Sequence, residues 1–319
     1  MTRMKVLTRI FLICTALLLT MLVLIGCGKT DSTTTSETRT ITYKDQTYTV
    51  PANPQRIATL ANSLLNFLDA IDGQSISRVD SSDALSDKLK ALPSLGQTAN
   101  INMEELLSLK PDLVIGLSNQ HGKYEGQLQS NKLPYILVSY DGIKDNVPLL
   151  LFLGELTHQE AKAKEVVDQY NANIDKVKDA VKNVTPARVA VLRATGKAVT
   201  AETELSVTAA MVKELGMTNV VLQHGDFDKS AKTIPYSLET LAADDPDIIF
   251  ISTMGKKDEI TKTMAKEMTS NPAWQNLKAV KNGKVFYLPS NLFLLNPGLH
   301  TPDAMAELVD MAYGIKVNF

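Results

Sequence analysis

The sequence predicts an α/β fold of two parallel-sheet lobes joined by one long, rigid helix. Three features predict it. Short continuous apolar runs alternate with helix-forming stretches over residues 56–138 and again over 189–312, the pattern of parallel strands covered by helices on both faces. Residues 158–183 contain neither Pro nor Gly, and Val166, Tyr170, Ile174, Val177 and Val181 step by four, four, three and four, one face of a helix about 25 residues long. The two halves also echo each other. Glu104-Glu105-Leu106-Leu107 before Lys110-Pro111-Asp112-Leu113-Val114-Ile115 is matched by Glu239-Thr240-Leu241-Ala242 before Asp245-Pro246-Asp247-Ile248-Ile249-Phe250.

The elements follow in chain order. Arg3, Lys5 and Arg9 precede the apolar run Ile10–Ile25, which ends in Leu24-Ile25-Gly26-Cys27. A basic start, an apolar stretch shorter than the roughly 20 residues of a membrane span, and a small residue before cysteine form an export signal of the lipoprotein type. The expectation is cleavage of residues 1–26 and lipidation of Cys27, with acyl chains worth about 0.8 kcal/mol per buried CH2 as the anchor. An uncleaved span is the alternative. Residues 27–38 are Ser/Thr-rich without apolar periodicity and read as a flexible tether. Residues 39–157 form the N-terminal lobe. It opens on a hairpin around Lys44-Asp45-Gln46, then carries strands at Arg56–Leu60, Ser75–Val79, Leu113–Gly116 and Pro134–Val138, with helices near Leu64–Ile71 and Met103–Leu109. Residues 158–184 are the connecting helix, stopped by Thr185-Pro186. Residues 185–319 form the C-terminal lobe, with strands at Val189–Leu192, Ile248–Ser252 and Val285–Leu288 and helices near Thr208–Leu215, Leu238–Ala243, Thr261–Met268 and Thr301–Ala312.

Composition excludes several functions. The formal charge is −2, and it becomes −5 once the three basic residues of the signal are removed. A nucleic-acid partner would require a basic face. Of the two cysteines only Cys27 remains after cleavage, so neither a disulfide nor thiol catalysis is expected. The sequence contains no Gly-x-Ser-x-Gly elbow, no Gly-x-Gly-x-x-Gly, no phosphate loop and no His-Glu-x-x-His. An extracytoplasmic hydrolase is therefore the weaker alternative, and no cofactor is expected.

Several ordered landmarks run through the mature chain: Asn53-Pro54-Gln55-Arg56-Ile57, Leu95-Gly96-Gln97, Asn102-Met103-Glu104-Glu105-Leu106, Ser237-Leu238-Glu239, and Asn271-Pro272-Ala273-Trp274 before Leu277 to Val285. Over roughly residues 40–315 this arrangement resembles the substrate-binding lipoproteins of ABC importers for iron-siderophores, heme and cobalamin. The resemblance implies a receptor on the outer face of the bacterial cytoplasmic membrane, or on its periplasmic side in a Gram-negative envelope. It implies an iron complex, siderophore or heme, as the transported ligand, with cobalamin as the alternative. It also implies delivery to an ABC permease dimer with its cytoplasmic ATPase, docking through one glutamate per lobe. Those positions match Glu104 and Glu239, and each carboxylate also suits a helix N-terminus on its own account.

Ligands of open α/β sheets bind beyond the carboxyl ends of the strands. This places Asn62, Asp80, Ser81, Thr98, Asn119, His121 and Tyr140 near the cleft from the first lobe, and Arg193, Tyr236, Met254, Asn291 and His300 from the second. Arg193 directly follows a strand and suits a bidentate clamp on a carboxylate or other anionic oxygen; a solvated salt bridge is its alternative. Met254, His121 and His300 are candidate axial ligands if the ligand is heme. In the resembling heme lipoproteins a histidine stands at the position of Met254 and a methionine follows the Gly-Gln pair, where this chain has Ala99, so heme ligation here requires another partner. Tyr140 and Tyr236 can ligate ferric iron or pack at the rim. A receptor for a bare metal ion would require three or four His, Asp or Glu converging on one point.

Overall fold

The computed structural model describes residues 37–80, 85–223 and 227–319. The signal segment 1–26, Cys27, most of the tether and Ser81 lie outside the described residues. The chain enters through an antiparallel hairpin, β1 (Thr38–Tyr43) and β2 (Gln46–Pro51), turning at Lys44, whose φ of 52° is left-handed. Ile41, Tyr43 and Val50 are buried, and the Tyr43 ring lies 5.1 Å from that of Phe152.

The first lobe continues with β3 (Ile57–Thr59), β4 (Arg78–Asp80), β5 (Ser94–Gln97), β6 (Asn100–Ile101), β7 (Leu113–Leu117) and β8 (Tyr135–Val138). Strands β3, β7 and β8 form a parallel sheet in that order; β4, β5 and β6 form a small mixed one. The strand expected at Ser75–Val79 forms later, at β4. The Ser75 and Ser77 hydroxyls bond the backbone of Ile57 and Thr59, so side chains replace a ladder there.

The second lobe carries β9 (Arg188–Thr195), β10 (Val199–Glu202), β11 (Thr218–Asn219), β12 (Thr233–Pro235), β13 (Ile248–Met254) and β14 (Val285–Leu288). They lie in the order β12-β10-β9-β13-β14, with β11 beside the start of β9. Strands β9, β13 and β14 are parallel, as the sequence predicts. Strands β10 and β12 extend the sheet antiparallel. A parallel crossover requires a dozen or more residues, and Gly196-Lys197-Ala198 leaves room only for a return hairpin.

One helix, Glu160–Val181, bridges the lobes. At 1.5 Å per residue it is about 33 Å long. Its apolar stripe is divided: Ala163 and Val167 belong to the first lobe's core, Val177 and Val181 to the second's. Close approach to the helix Asn146–Thr157 depends on Gly154, where a Cβ would stand 2.5 Å from that of Ala163. That helix was not legible in the sequence. Leu149, Leu150, Phe152, Leu153 and Leu156 are buried around most of its circumference, so it carries no one-sided stripe to recognise.

Candidate functional site at the junction of the lobes

Side-chain alternation decides which strand-end residues face the opposite lobe. On β9, Val189 and Val191 enter the core beneath the helices Val207–Glu214 and Thr301–Tyr313, while Ala190, Leu192 and Ala194 enter the core on the other face. On β13, Ile248 and Phe250 join the first core, Ile249 and Ile251 the second. Ile143 of the N-terminal lobe packs against the first core. Arg193 and Met254 continue the face whose core Ile143 of the N-terminal lobe packs against. In register Arg193 lies opposite Ser252 and Thr195 opposite Met254. Arg193 and Met254 are therefore on adjacent strands, offset by about 7 Å along the strand and about 5 Å across. Met254 is 55% exposed.

Arg193 is anchored from behind. Its Nε donates to Glu202 Oε1 at 2.9 Å, and Glu202 is fully buried. The second carboxylate oxygen, Oε2, has no hydrogen-bond partner. Burial pushes the Glu202 carboxyl up from its ordinary range, opposed by the Arg193 charge and by the neighbouring Ser206 and Ser252 hydroxyls. The Arg193 side chain is 18% exposed. Among the described residues its Nε is the only nitrogen with a partner, so both terminal nitrogens remain available as donors.

Two cavities open between the lobes. One, of about 290 Å³, is lined by Asn66 and Phe67 from the first lobe and by Asn291, Asn296, Leu299 and His300 from the second. The other, of about 410 Å³, is lined by Ile143 and Lys144 from the first lobe and by Leu205, Ser206 and Lys232 from the second. The lobes are stitched together by buried Asn146. Its Nδ2 lies 3.0 Å from the Tyr170 hydroxyl of the bridging helix, from the Gly298 carbonyl and from Thr301 Oγ1. Its Oδ1 accepts from the Tyr140 hydroxyl at 2.8 Å and from Asn296 Nδ2 at 3.2 Å.

The structure separates the sequence-derived candidates. Arg193 and Met254 share a face, and His300 lines the smaller cavity, exposed, with Nδ1 2.9 Å from Asp303 Oδ2. Tyr140 is buried in the Asn146 network and packs edge-on against Phe67. Asn291 lines the smaller cavity, and Asn119 is exposed on the short helix Ser118–His121. Asp80 pairs with Arg78.

Three candidates take interior roles instead. His121 is fully buried; its Nδ1 accepts from the Leu117 N–H at 2.8 Å and its Nε2 donates to the Thr98 carbonyl at 3.0 Å. Both ring nitrogens are committed, which leaves no lone pair for iron and fixes half-buried Thr98 by its backbone. Asn62 is 1% exposed and pairs both ends of its amide with the backbone of Val79. Tyr236 packs in the core on the far face of the sheet, and its hydroxyl donates to Asp244. Glu202 and Asn146 escaped sequence reading. A single Glu closing the run Val199-Thr200-Ala201 was the available signal for the first; a lone Asn before Val147-Pro148 carried none for the second.

Glu104 and Glu239 occupy matched positions. Each is exposed and second in its helix, Met103–Ser108 and Leu238–Asp244. Asn102 caps the first helix through Glu105 N–H and Ser237 the second through Thr240 N–H, both at 3.1 Å. The far ends match too. Arg56 donates to the Leu109 and Lys110 carbonyls and Arg188 to that of Asp244, while Asp112 and Asp247 accept from the backbone N–H of Arg56 and Arg188.

Among the described residues no helix is long and apolar enough to cross a membrane, and no group of three or more His, Cys, Asp or Glu is arranged to hold a metal ion. The chain is 27% identical over 262 residues to the high-affinity heme uptake system protein IsdE of Staphylococcus aureus, covering 82% of this chain and 88% of that protein. The crystal structure of S. aureus IsdE complexed with heme superposes with a TM-score of 0.66 at 26% identity, covering 81% of this chain and 98% of that one. S. aureus SirA complexed with staphyloferrin B shares the fold, with a TM-score of 0.70 at 21% identity over 86% of this chain and 98% of that one. The family model described as periplasmic binding protein matches residues 57–292, from the first parallel strand of one lobe to beyond the last strand of the other. The fold and this match agree: the chain belongs to the periplasmic binding protein family.

Proposed function

We propose that this chain is a membrane-tethered extracytoplasmic receptor that binds an iron complex between its lobes and delivers it to an ABC permease. The observation that carries the reading is the pairing of Met254 with Arg193 on one sheet face, beside a core that Ile143 of the other lobe packs against. A thioether is a soft axial ligand for heme iron, and a guanidinium is a two-pronged donor for a carboxylate. The similarity to IsdE, a high-affinity heme uptake system protein, supports heme among the iron complexes. His300 then supplies the imidazole, because His121 has no free nitrogen and His300 keeps Nε2 uncommitted. A siderophore is the second reading. Lys144 and Lys232 line the larger cavity, and among the described residues neither ammonium has an ion-pair or hydrogen-bond partner, which suits a polyanionic chelate. Family membership implies a permease and an ATPase as partners. Lipidation at Cys27 supplies the tether, and Glu104 and Glu239 supply the docking charges.

The test is a hemin absorbance titration of protein beginning at Lys29, run beside a panel of ferric siderophores. A saturable one-to-one Soret shift that weakens in Met254→Ala or His300→Ala establishes a heme receptor. Saturable binding of a ferric siderophore without the hemin shift establishes the second reading. Binding of neither overturns both.

A further inference from the structure

We propose that Glu202 is a positioning residue that fixes the Arg193 guanidinium as a fork for a ligand carboxylate, so that carboxylate-bearing complexes are the class the cleft selects. The inference rests on the reading of the cleft as the ligand site. Strand register explains the geometry. Thr200 lies opposite Arg193 and Ala201 opposite Leu192, so Glu202 is the diagonal neighbour of Arg193 on the same face, within reach of two long side chains. The ion pair closes through Nε, the one guanidinium nitrogen that does not belong to the outward prongs.

The charges show why Arg193 stays where it is. The Ser206 and Ser252 hydroxyls beside the carboxylate ease its burial but carry no charge, so among the described residues Arg193 is the cation paired with it. Glu202 is fully buried, and one of its oxygens is already without a partner. Swinging Arg193 away would leave a buried carboxylate with no cation beside it, which is strongly unfavourable. The side chain is therefore confined before any ligand arrives, and less rotamer freedom is lost on binding. A neutral macrocycle offers this fork nothing and leaves its donors under-satisfied.

The experiment uses citrate, an iron-free carboxylate probe, and follows the Arg193 Nε–Hε cross-peak of the protein beginning at Lys29. Hemin is titrated in parallel. Citrate is expected to shift the cross-peak saturably. Arg193→Lys, which loses the fork, is expected to weaken citrate at least tenfold, read from backbone amides of β9 and β13. Glu202→Asp keeps the charge but falls one methylene short of Nε, and is expected to weaken citrate about tenfold. Glu202→Gln keeps the reach but loses the charge that holds Arg193 in place, and is expected to weaken citrate about tenfold as well. A merely long-range charge role would instead make Glu202→Gln bind citrate more tightly, because a negative charge near an anionic ligand is removed. Citrate leaving Arg193 undisturbed, or Glu202→Asp binding like the parent, overturns the proposal. If Glu202→Asp melts before it can be titrated, Arg193→Lys decides, and unchanged affinity there overturns it. Citrate binding without hemin or siderophore binding removes the proposed function but leaves the clamp; the reverse removes the clamp alone.

Discussion

Arg193 Nε and Glu202 Oε1 lie 2.9 Å apart in an ion pair whose acid is wholly buried and whose base reaches solvent. The two ends carry unequal liabilities. Arg193 can hydrate if the acid is removed, whereas Glu202 cannot if the base is removed. Arg193→Met alone is therefore expected to destabilise the protein by about 3–5 kcal/mol, the usual cost of an uncompensated buried charge. The double variant Arg193→Met/Glu202→Leu is expected to recover most of that loss, because the desolvation penalty goes with the charges. Urea unfolding at neutral pH measures both. A single variant as stable as the parent would mean that the carboxyl is already neutral.

His121 gives the protein a pH dependence of predictable sign. Burial pushes its pKa below the ordinary 6.5, the Thr98 carbonyl pulls the other way by accepting from the ring, and the nearby Lys123 charge adds to the push. The unfolded chain thus binds a proton that the folded one resists. Stability is full above the unfolded value and falls as pH drops through 6.5 toward the lower folded value. The melting temperature is expected to fall between pH 7.5 and 5.5, by less in His121→Gln than in the parent. The variant also melts lower at pH 7.5, since Gly116 leaves a space fitted to this ring: a Cβ there would lie 2.9 Å from Nδ1. Parallel pH profiles for the two proteins would assign the dependence to other groups.

Asn146 joins both lobes to the bridging helix at one buried amide. Asn146→Ala leaves the Tyr140 and Tyr170 hydroxyls and the Gly298 carbonyl competing for fewer partners in a dry site. The expected loss is about 2–4 kcal/mol, from buried groups that each cost about 1–3 kcal/mol when orphaned. Asn146→Asp preserves shape and the acceptor for Tyr140, yet deletes both N–H donors and buries a charge. It is expected to be the less stable of the two, and chemical denaturation ranks them. Equal stability of Asn146→Asp and the parent would show that water enters the junction.

What the sequence made legible was periodic or repeated. The bridging helix announced itself because Val166, Tyr170, Val177 and Val181 recur at helical spacing, and the paired lobes did so through Lys110-Pro111-Asp112 and Asp245-Pro246-Asp247. Those motifs have a shared physical basis, since Asp112 and Asp247 each tie the backbone at the first strand of their lobe. The helix Asn146–Thr157 was hidden because burial on most sides erases periodicity. Strand-end logic put His121, Asn62 and Tyr236 at the cleft, but each lies beside an interior polar group that claims it: Thr98, Val79 and Asp244. Facing direction is a property of register, and register between distant strands is written in no local stretch. Arg193 and Met254 fell on one sheet face only when β9 and β13 were aligned.

Glu104 and Glu239 offer the sharpest test of partner recognition. Both are exposed second residues of side-chain-capped helices, and the Glu239 carboxyl is kept below its ordinary range by its own backbone N–H and by Ser237. Neither lines either inter-lobe cavity. Reversing one charge to Lys forfeits a favourable interaction with the helix N-terminus that is too small at so exposed a position to unfold the protein. If these carboxylates dock onto a permease as proposed, the double variant Glu104→Lys/Glu239→Lys is expected to bind hemin or a ferric siderophore with unchanged affinity and to abolish uptake in cells, because opposite charges at the docking surface become like ones. Each single variant is expected to fall between. Uptake at the parental level in the double variant would remove these carboxylates from docking, and a loss of ligand affinity would show that they act on the cleft instead.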